Sequence, residues 1–595
     1  MRASHAMKST QETIHWLEHG TGAVWLRRAA WMLAALVLTT VFSWKQFHGI
    51  PNEWTMQQAE LGRQIARGQG FTTRIIYPQT YAVMKGRGVG FEESQAYPEL
   101  YHAPLYPLAM AVVFAALPQS VWKHVPEPPG GWVPDYAVLG LNLLLFWLSV
   151  WLAWRLARNL FDVRAAVLAA VATATSITLW QQTVVVSGTP LLMVLVLAVF
   201  NVLALFESQT EASSNGAAGL LPKVALLGGL TGLMFLTEYS AGLVVLALGA
   251  YLTWRVNGAS RWPVLGVFSL AAVLMAAPWL IRNTRVAGHP LGLAWQNLAL
   301  KADDSTALPS TQRNLLSVAA PGLDLKKLGN KGLTGMEHNL RDRLWSGGGL
   351  LLTAFFVAGL VYQYRHAPAN RVRWAFVATL WLLLTCQPFF GSGESLRLPA
   401  YYLAPLVIVF GAGFFFVLVD SQPKLVPHAR WVMWALLLIQ AFPLMRDMSE
   451  PRKVHFYYPP YFPNLFMELS RDSRTRFLPD TGFATDVPAG TSWYGEMRIW
   501  SKPEYLRDFY AIMVEQNIGA LLLTPVTLDR PFFAELAARR EDTIQLTDPS
   551  GWGGVYTGLV TRRMPSKFPL NMAPQRLTDN MVLLVNPSTL GRRVN

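Results

Sequence analysis

Eleven apolar stretches run through this chain of 595 residues, and the hydrophilic loops between them alternate between Arg/Lys-rich and almost cation-free. Such segments must satisfy every backbone N–H and C=O within the bilayer, so the chain is expected to form a bundle of membrane-crossing helices with polar material on the two faces. The composition agrees: 52% of the residues are hydrophobic, only 14% are charged, and 23 are Trp. A net charge of +14 gathered in one stripe would suit nucleic acid, but these cations punctuate apolar spans, as membrane-flanking residues do. The single cysteine, Cys386, excludes an intrachain disulfide and a Cys-based zinc site.

The first apolar segment, residues 29–44, follows Arg27 and Arg28 and reads as an uncleaved signal-anchor. Further spans are expected at 136–154, 165–180, 191–206, 224–236, 241–254, 263–280, 347–364, 374–390, 401–419 and 431–444. The run 224–254 as one helix would be about 46 Å long against a hydrocarbon core of about 30 Å. It is therefore expected to break at Thr237-Glu238-Tyr239-Ser240. With that break, the loops holding Arg155, Arg158 and Arg164, then Arg255 and Arg261, then Arg365, Arg371 and Arg373, then Lys424 and Arg430 all share the side of Arg27 and Arg28. The expectation is an integral plasma (inner) membrane protein: residues 1–28 cytoplasmic, 29–445 transmembrane, and 446–595 a small extracytoplasmic (periplasmic) domain.

Two large loops, 45–135 and 282–345, join that domain on the outer face. In the first, 53–66 has helical composition and ends at the stop signal Gly68-Gln69-Gly70. An apolar helix at 102–117, bracketed by Pro104, Pro107 and Pro118, is expected to lie in the interface, because a crossing there would invert every later loop. Within 446–595, residues 483–487, 518–524 and 554–561 read as strands and 505–516 and 531–540 as helices, which makes a small α/β domain.

Candidate chemistry collects on this outer face. Glu53 puts a carboxylate just past the first span, where it either activates an acceptor hydroxyl or amine, helps hold a metal, or simply begins its helix as a solvated residue. Arg282, after Pro278-Trp279-Leu280-Ile281, and Arg397, before Leu398-Pro399-Ala400-Tyr401-Tyr402, sit at head-group depth, where a guanidinium either grips a phosphate or anchors to lipid. Glu238, at the break between two apolar helices, needs a partner, a bound ion or a water-filled cavity. His102, in His-Ala-Pro-Leu-Tyr-Pro, is compatible with a site or with a structural role. The pair Asp303-Asp304 reads as exposed, and no histidine spacing builds a zinc site.

Taken in order, these features resemble the membrane-embedded glycosyltransferases of the C-type fold, the group that contains the dolichyl-phosphate-mannose protein mannosyltransferases and the bacterial lipid A aminoarabinose transferase. The resemblance covers roughly residues 29–445. It rests on Pro51-Asn52-Glu53 with its helix ending at Gly68-Gln69-Gly70-Phe71, on His102-Ala103-Pro104-Leu105-Tyr106-Pro107, on Pro278 to Asn283 with Gly288-His289-Pro290, and on Arg397 before Tyr401-Tyr402. What it implies is a mostly α-helical polytopic protein that moves a sugar from a polyprenyl-phosphate donor to a lipid, glycan or protein acceptor, with inversion at the anomeric carbon.

The resemblance also implies an acidic base in the first outer loop. Glu53 matches it best, although Asn52 stands beside it where the family's aspartate could have been. It implies Arg282 and Arg397 as ligands of the donor phosphate, with His102, Glu238 and Glu394 as further candidates. The second acid that the family often carries after the third span is absent from 181–190, so a requirement for a divalent metal stays open. Two other readings share the same spans: a transporter or flippase of lipid-linked sugars, which would favour inverted repeats and broken helices at mid-membrane, and a transferase-like protein without activity.

Overall fold

A computed structural model describes residues 21–88, 97–123, 131–212, 217–256, 258–299, 315–320, 322–343, 345, 348–391, 398–451, 463–478, 481–524, 551–561, 563–564, 567–570, 575–578 and 581–590. The chain divides into two units. The first is Met1–His48 with Pro443–His455, and the second is Gly49–Phe442 with Phe456–Asn595. In the first unit, helix α1 (Thr21–Gln46) ends where Gln46 donates to Asp447 (2.6 Å) and Lys45 to the carbonyl of Glu450 (2.6 Å).

The second unit begins with α2 (Glu53–Ala66), which has the bounds that the sequence predicts. Asn52 is its N-cap and accepts the Thr55 N–H at 2.7 Å, while Gly68 and Gly70, both at positive φ, turn the chain away after its end. Then come α3 (Pro78–Gly86), the apolar α4 (Leu105–Ala115), α5 (Val133–Leu160), the pair α6 (Val163–Ala174) and α7 (Ile177–Val184), α8 (Thr189–Ala212), α9 (Leu221–Thr237), α10 (Val244–Arg255), α11 (Arg261–Ala287), α12 (Leu325–His338), α13 (Leu350–Gly359), α14 (Ala367–Phe390), α15 (Ala404–Ser421) and α16 (Ala429–Ser449).

Six of the described helices are long and apolar enough to cross a membrane, or seven if α6 and α7, bent by 49°, form one span. The other expected spans fall on α9, α10, α13 and α16. The break expected near Glu238 is present: α9 stops at Thr237, Glu238 is extended, and a short 3-10 turn (Tyr239–Leu243) leads into α10. Helix α9 packs on α11 through Gly228 and Gly232. A Cβ at Gly228 would lie 2.1 Å from the Phe268 carbonyl, so only glycine lets the two backbones approach this closely.

Helix ends sort by chemistry. At one end of the bundle Arg164 pairs with Asp420 at 2.7 Å, and the fully buried Glu207 gathers Arg255 (3.0 Å) and Arg371 (3.1 Å). These contacts bring together the Arg/Lys-rich loops that the charge pattern assigns to one side. At the other end lie His102, Glu238, Tyr239 and Arg282.

A six-stranded sheet carries much of the remaining chain, in the order β2 (Ile75–Ile76), β5 (Ile499–Ser501), β4 (Gly482–Thr485), β6 (Ile518–Leu523), β8 (Met581–Val585) and β7 (Gln575–Thr578). A separate two-stranded piece joins β1 (Thr72–Thr73) and β3 (Tyr97–Pro98). Strand β2 (Ile75–Ile76) belongs to the first outer loop, yet it pairs in parallel with β5 (Ile499–Ser501), Ile75 opposite Ile499. Strands β4 (Gly482–Thr485) and β6 (Ile518–Leu523) continue the parallel half, and β7 (Gln575–Thr578) and β8 (Met581–Val585) close it antiparallel. Every residue of β6 is buried, as expected of a parallel strand covered on both faces. Helix α18 (Pro488–Gly495) packs on the sheet, α17 (Pro463–Arg476) packs on α18, and α19 (Leu506–Glu515) lies between β5 and β6 in the chain.

One expected strand is corrected: 554–561 lies in a helix, α20 (Trp552–Thr561). The helix buries Trp552 against Phe509, with ring centroids 5.4 Å apart, a tertiary contact that the local sequence does not reveal. The expected helix at 531–540 and the pair Asp303-Asp304 lie outside the described residues.

Candidate active site

Glu53 is not the solvated residue that one reading of the sequence allows. It is buried, and its Oε2 accepts the N–H of Ala489 at 3.3 Å in the first turn of α18. At the other end of the same contact Arg63, fully buried, donates to the carbonyls of Ser492 and Trp493, each at 2.8 Å, and lies 4.8 Å over the Trp493 ring. Helix α2 thus meets the positive end of α18 with a carboxylate and its negative end with a guanidinium, both favourable to the helix dipole. Asn52 is occupied as the helix cap, so the acid presented to the interior here is Glu53.

Arg63 also pairs with the buried Glu60, and Glu496, just past α18, receives Arg63, Arg67 and Arg74. Burial works against ionising Glu496, but Arg63, Arg67 and Arg74 overcome it and pull its carboxyl down to about 2. Asp135, at the start of α5, accepts from Trp493 Nε1 and from the Tyr494 hydroxyl, both at 2.8 Å, and ties α18 to the helical bundle.

The second wall of the site is the loop 97–102. Glu99, which the sequence reading missed, is buried and turns one carboxylate oxygen back on its own loop. It accepts from the N–H of Tyr101 (2.7 Å), the N–H of His102 (3.0 Å) and His102 Nδ1 (3.1 Å). Burial would raise the Glu99 carboxyl, but the His102 ring and these donors bring it below its ordinary value. An ionised carboxylate only accepts, so Nδ1 carries the proton. His102 Nε2 has no hydrogen-bond partner among the described residues. The ring is fixed on its other side by Trp54, with centroids 4.5 Å apart. A signal for Glu99 was available, an acid three residues before the histidine. In sequence it looks like any loop acid.

Arg282 arrives from the end of α11. It donates to the carbonyls of Glu99 (2.5 Å) and Phe71 (3.1 Å) and to the Asn283 side chain (2.9 Å), and lies 4.8 Å over the Trp279 ring. No carboxylate is within ion-pair distance of it among the described residues, so carbonyl dipoles orient the guanidinium without neutralising it. Trp279 in turn donates to the Tyr239 hydroxyl (2.7 Å), which donates to the His102 carbonyl (3.2 Å). Gly292, at φ 58, closes the back of the loop. A Cβ there would lie 2.2 Å from the Leu100 carbonyl, which Leu293 N–H binds at 2.8 Å.

The half-buried Glu238 accepts from Ser240 at 3.1 Å, and Ser240 is held through Gln387 by Tyr402. A second buried cation was not expected: Lys331 on α12 donates to the Asn297 carbonyl, and Asn297 also receives the Tyr101 hydroxyl. Burial brings the Lys331 ammonium down to about 7.

Glu53, His102, Glu238 and Arg282 therefore belong to one connected region. Tyr77 links its halves, because it feels the charges of both Glu53 and Glu99. Arg397 and Glu394 lie outside the described residues. Among the described residues no three His, Cys, Asp or Glu side chains come together to hold a metal ion.

Comparison with known proteins agrees with this architecture. Residues 133–281 match the family described as dolichyl-phosphate-mannose-protein mannosyltransferase. No curated protein matches the sequence. Among solved structures, ArnT from Cupriavidus metallidurans bound to undecaprenyl phosphate superimposes with a TM-score of 0.52 at 12% identity, over 96% of this chain and 100% of that one. The Archaeoglobus fulgidus oligosaccharyltransferase, in complex with zinc and sulfate, gives a TM-score of 0.51 at 13% identity, over 83% of this chain and 68% of that one.

Proposed function

We infer that this integral membrane protein, which carries the fold of the C-type membrane glycosyltransferases, moves a sugar from a polyprenyl-phosphate donor to an acceptor at the outer face, with inversion. The carrying observation is a buried carboxylate, Glu53, next to Trp54, which packs on His102, together with a guanidinium, Arg282, held on the Glu99 carbonyl of the same 97–102 loop and, among the described residues, in no ion pair with a carboxylate. Membrane glycosyl transfer calls for these two groups: one takes a proton from the nucleophile, and the other receives charge on the leaving phosphate.

In this reading the acceptor oxygen or nitrogen attacks the anomeric carbon as its proton passes to Glu53. The bond from that carbon to the phosphate oxygen breaks on the opposite side. The electron pair leaves on the polyprenyl phosphate, whose new charge is met by Arg282 and, from the loop before Tyr401, by Arg397. Ala489 N–H aims the Glu53 carboxylate, and His102, fixed by Glu99 and Trp54, presents Nε2 to the same region. A transporter reading draws less support, because Glu53, His102, Glu238 and Arg282 lie at the end of the bundle opposite the Arg164–Asp420 and Glu207–Arg255 pairs.

Purified protein supplied with radiolabelled undecaprenyl-phosphate sugars is expected to pass label to an acceptor in an envelope lipid extract. Glu53→Gln should lower turnover by about 10²–10⁴-fold, the contribution of a general base. Undiminished turnover in that variant removes Glu53 as the base.

A further inference from the structure

The shape of the 97–102 loop decides where the Arg282 guanidinium sits. Strand β3 (Tyr97–Pro98) pairs with β1 (Thr72–Thr73), and the pairing runs on by one residue, because the Glu99 N–H donates to the Phe71 carbonyl at 3.3 Å. This register brings the Glu99 and Phe71 carbonyls within reach of one guanidinium. Arg282 takes the first through Nη1 at 2.5 Å and the second through Nη2 at 3.1 Å, and Nη1 also donates to the Asn283 side chain at 2.9 Å. The Phe71 and Trp279 rings, with centroids 4.5 Å apart, flank it at 5.6 and 4.8 Å.

Within the loop, one side chain holds the turn. Residues 99–104 belong to no helix or strand, and Glu99 Oε1 accepts the Tyr101 N–H (2.7 Å), the His102 N–H (3.0 Å) and His102 Nδ1 (3.1 Å) in place of a backbone ladder. Helix α11 grips both ends of that turn. Arg282 holds the Glu99 carbonyl, while Trp279, three residues earlier on α11, donates to the Tyr239 hydroxyl (2.7 Å), which donates to the His102 carbonyl (3.2 Å). The ring of contacts is closed by the bond from His102 to the Glu99 carboxylate.

We propose that Glu99 is the positioning residue of the donor-phosphate site: its carboxylate fixes the 99–102 turn, and the turn aims the Arg282 guanidinium. The proposal rests on the glycosyltransferase reading above, in which Arg282 meets the phosphate, and adds the residue through which that arginine is oriented. A guanidinium recognises phosphate with a planar fork, so its direction counts as well as its charge. The bonds to Glu99, Phe71 and Asn283 set that plane and with it the direction of the N–H groups left over. Only the carbonyl of Glu99 touches the guanidinium. Its carboxylate makes no ion pair with Arg282 among the described residues, and so orients the cation without neutralising it.

A double-mutant cycle on the full chain in lipid nanodiscs, titrated with undecaprenyl phosphate, tests this. Glu99→Ala is expected to weaken binding about tenfold, the effect of leaving buried donors without their acceptor. Glu99→Gln, which keeps an oxygen acceptor at the same reach, should recover most of that loss. Arg282→Ala should weaken binding by itself, and Glu99→Ala added to it should weaken binding no further, because Glu99 acts through the guanidinium. Losses that add in the double variant, or undiminished affinity in Glu99→Ala, overturn the proposal and leave Glu99 as a structural acid of its loop, with the phosphate role of Arg282 intact. Undiminished affinity in Arg282→Ala instead refutes the phosphate role given to Arg282 in the previous section, and this proposal with it. If either alanine variant does not fold, Glu99→Asp, which draws the carboxylate back by one methylene, and Arg282→Lys carry the same expectations.

Discussion

Glu496→Gln tests whether the clamp between α2 and α18 holds as the charges indicate. Glu496 sits at φ 51, an unusual backbone for a residue with a side chain, and receives Arg63, Arg67 and Arg74. Its fall from an ordinary value of 4.5 to about 2 corresponds to roughly 3 kcal/mol in favour of the ionised, folded form. Discounting for the part of the side chain that faces solvent leaves about 2 kcal/mol. Glutamine keeps the size and backbone, and Glu60 still pairs with Arg63, so the substitution removes the charge without orphaning the buried guanidinium. At pH 7 the variant should unfold with about 2 kcal/mol less stability, and amides of Pro488–Gly495 and Glu53–Ala66 should exchange hydrogen faster. The sign with pH is fixed. A carboxyl depressed in the folded state stabilises above its ordinary value and loses that contribution as pH falls from about 4.5 to 2, so the gap between wild type and variant must close over that window. A variant as stable as wild type at pH 7, or a gap that survives at pH 2, refutes the electrostatic account.

Other expectations are equally concrete. Lys331, brought down to about 7, gives up its proton in the folded chain well before the unfolded chain does, so stability should rise between pH 7 and about 10.5; Lys331→Met should flatten that rise in thermal unfolding and stabilise the protein at pH 6. Gly292→Ala meets both a positive φ and the Leu100 carbonyl, and should cost about 1–3 kcal/mol and loosen the 97–102 loop, visible as faster hydrogen exchange there. Arg282→Lys keeps the charge but loses the planar fork that reaches Glu99, Phe71 and Asn283 at once; weaker undecaprenyl phosphate binding is expected, and unchanged affinity would assign Arg282 to anchoring alone.

How much could be read from the sequence depended on whether the signal was local. Helix α2 was legible because its composition and its two terminal glycines are local signals, whereas its Asn52 cap came only with the structure. The break at Glu238 was legible because bilayer thickness and loop charge both demanded it. The place of Arg282 near the end of α11 was legible from Pro278-Trp279-Leu280-Ile281 before it. Glu99 and Lys331 were not, since what distinguishes them is burial by distant segments. A lysine on an amphipathic helix looks solvated until the Asn297 carbonyl is found above it. The Glu53–Ala489 contact joins positions 436 residues apart, and no pattern in either neighbourhood foretells the other. Strand β2, two residues long, is too short to carry any period.

That short strand bears on biosynthesis. Arg74 and Glu496, which flank the β2–β5 pairing, are separated by 422 residues. Ile75 and Ile76 therefore leave the ribosome long before their neighbours exist, and must wait at the surface while the intervening helices insert. Expressed on its own, the piece from 456 to 595 would keep an open parallel edge at Ile499–Ser501, a ready template for self-association. It is better studied as part of the intact polypeptide than as a detachable module.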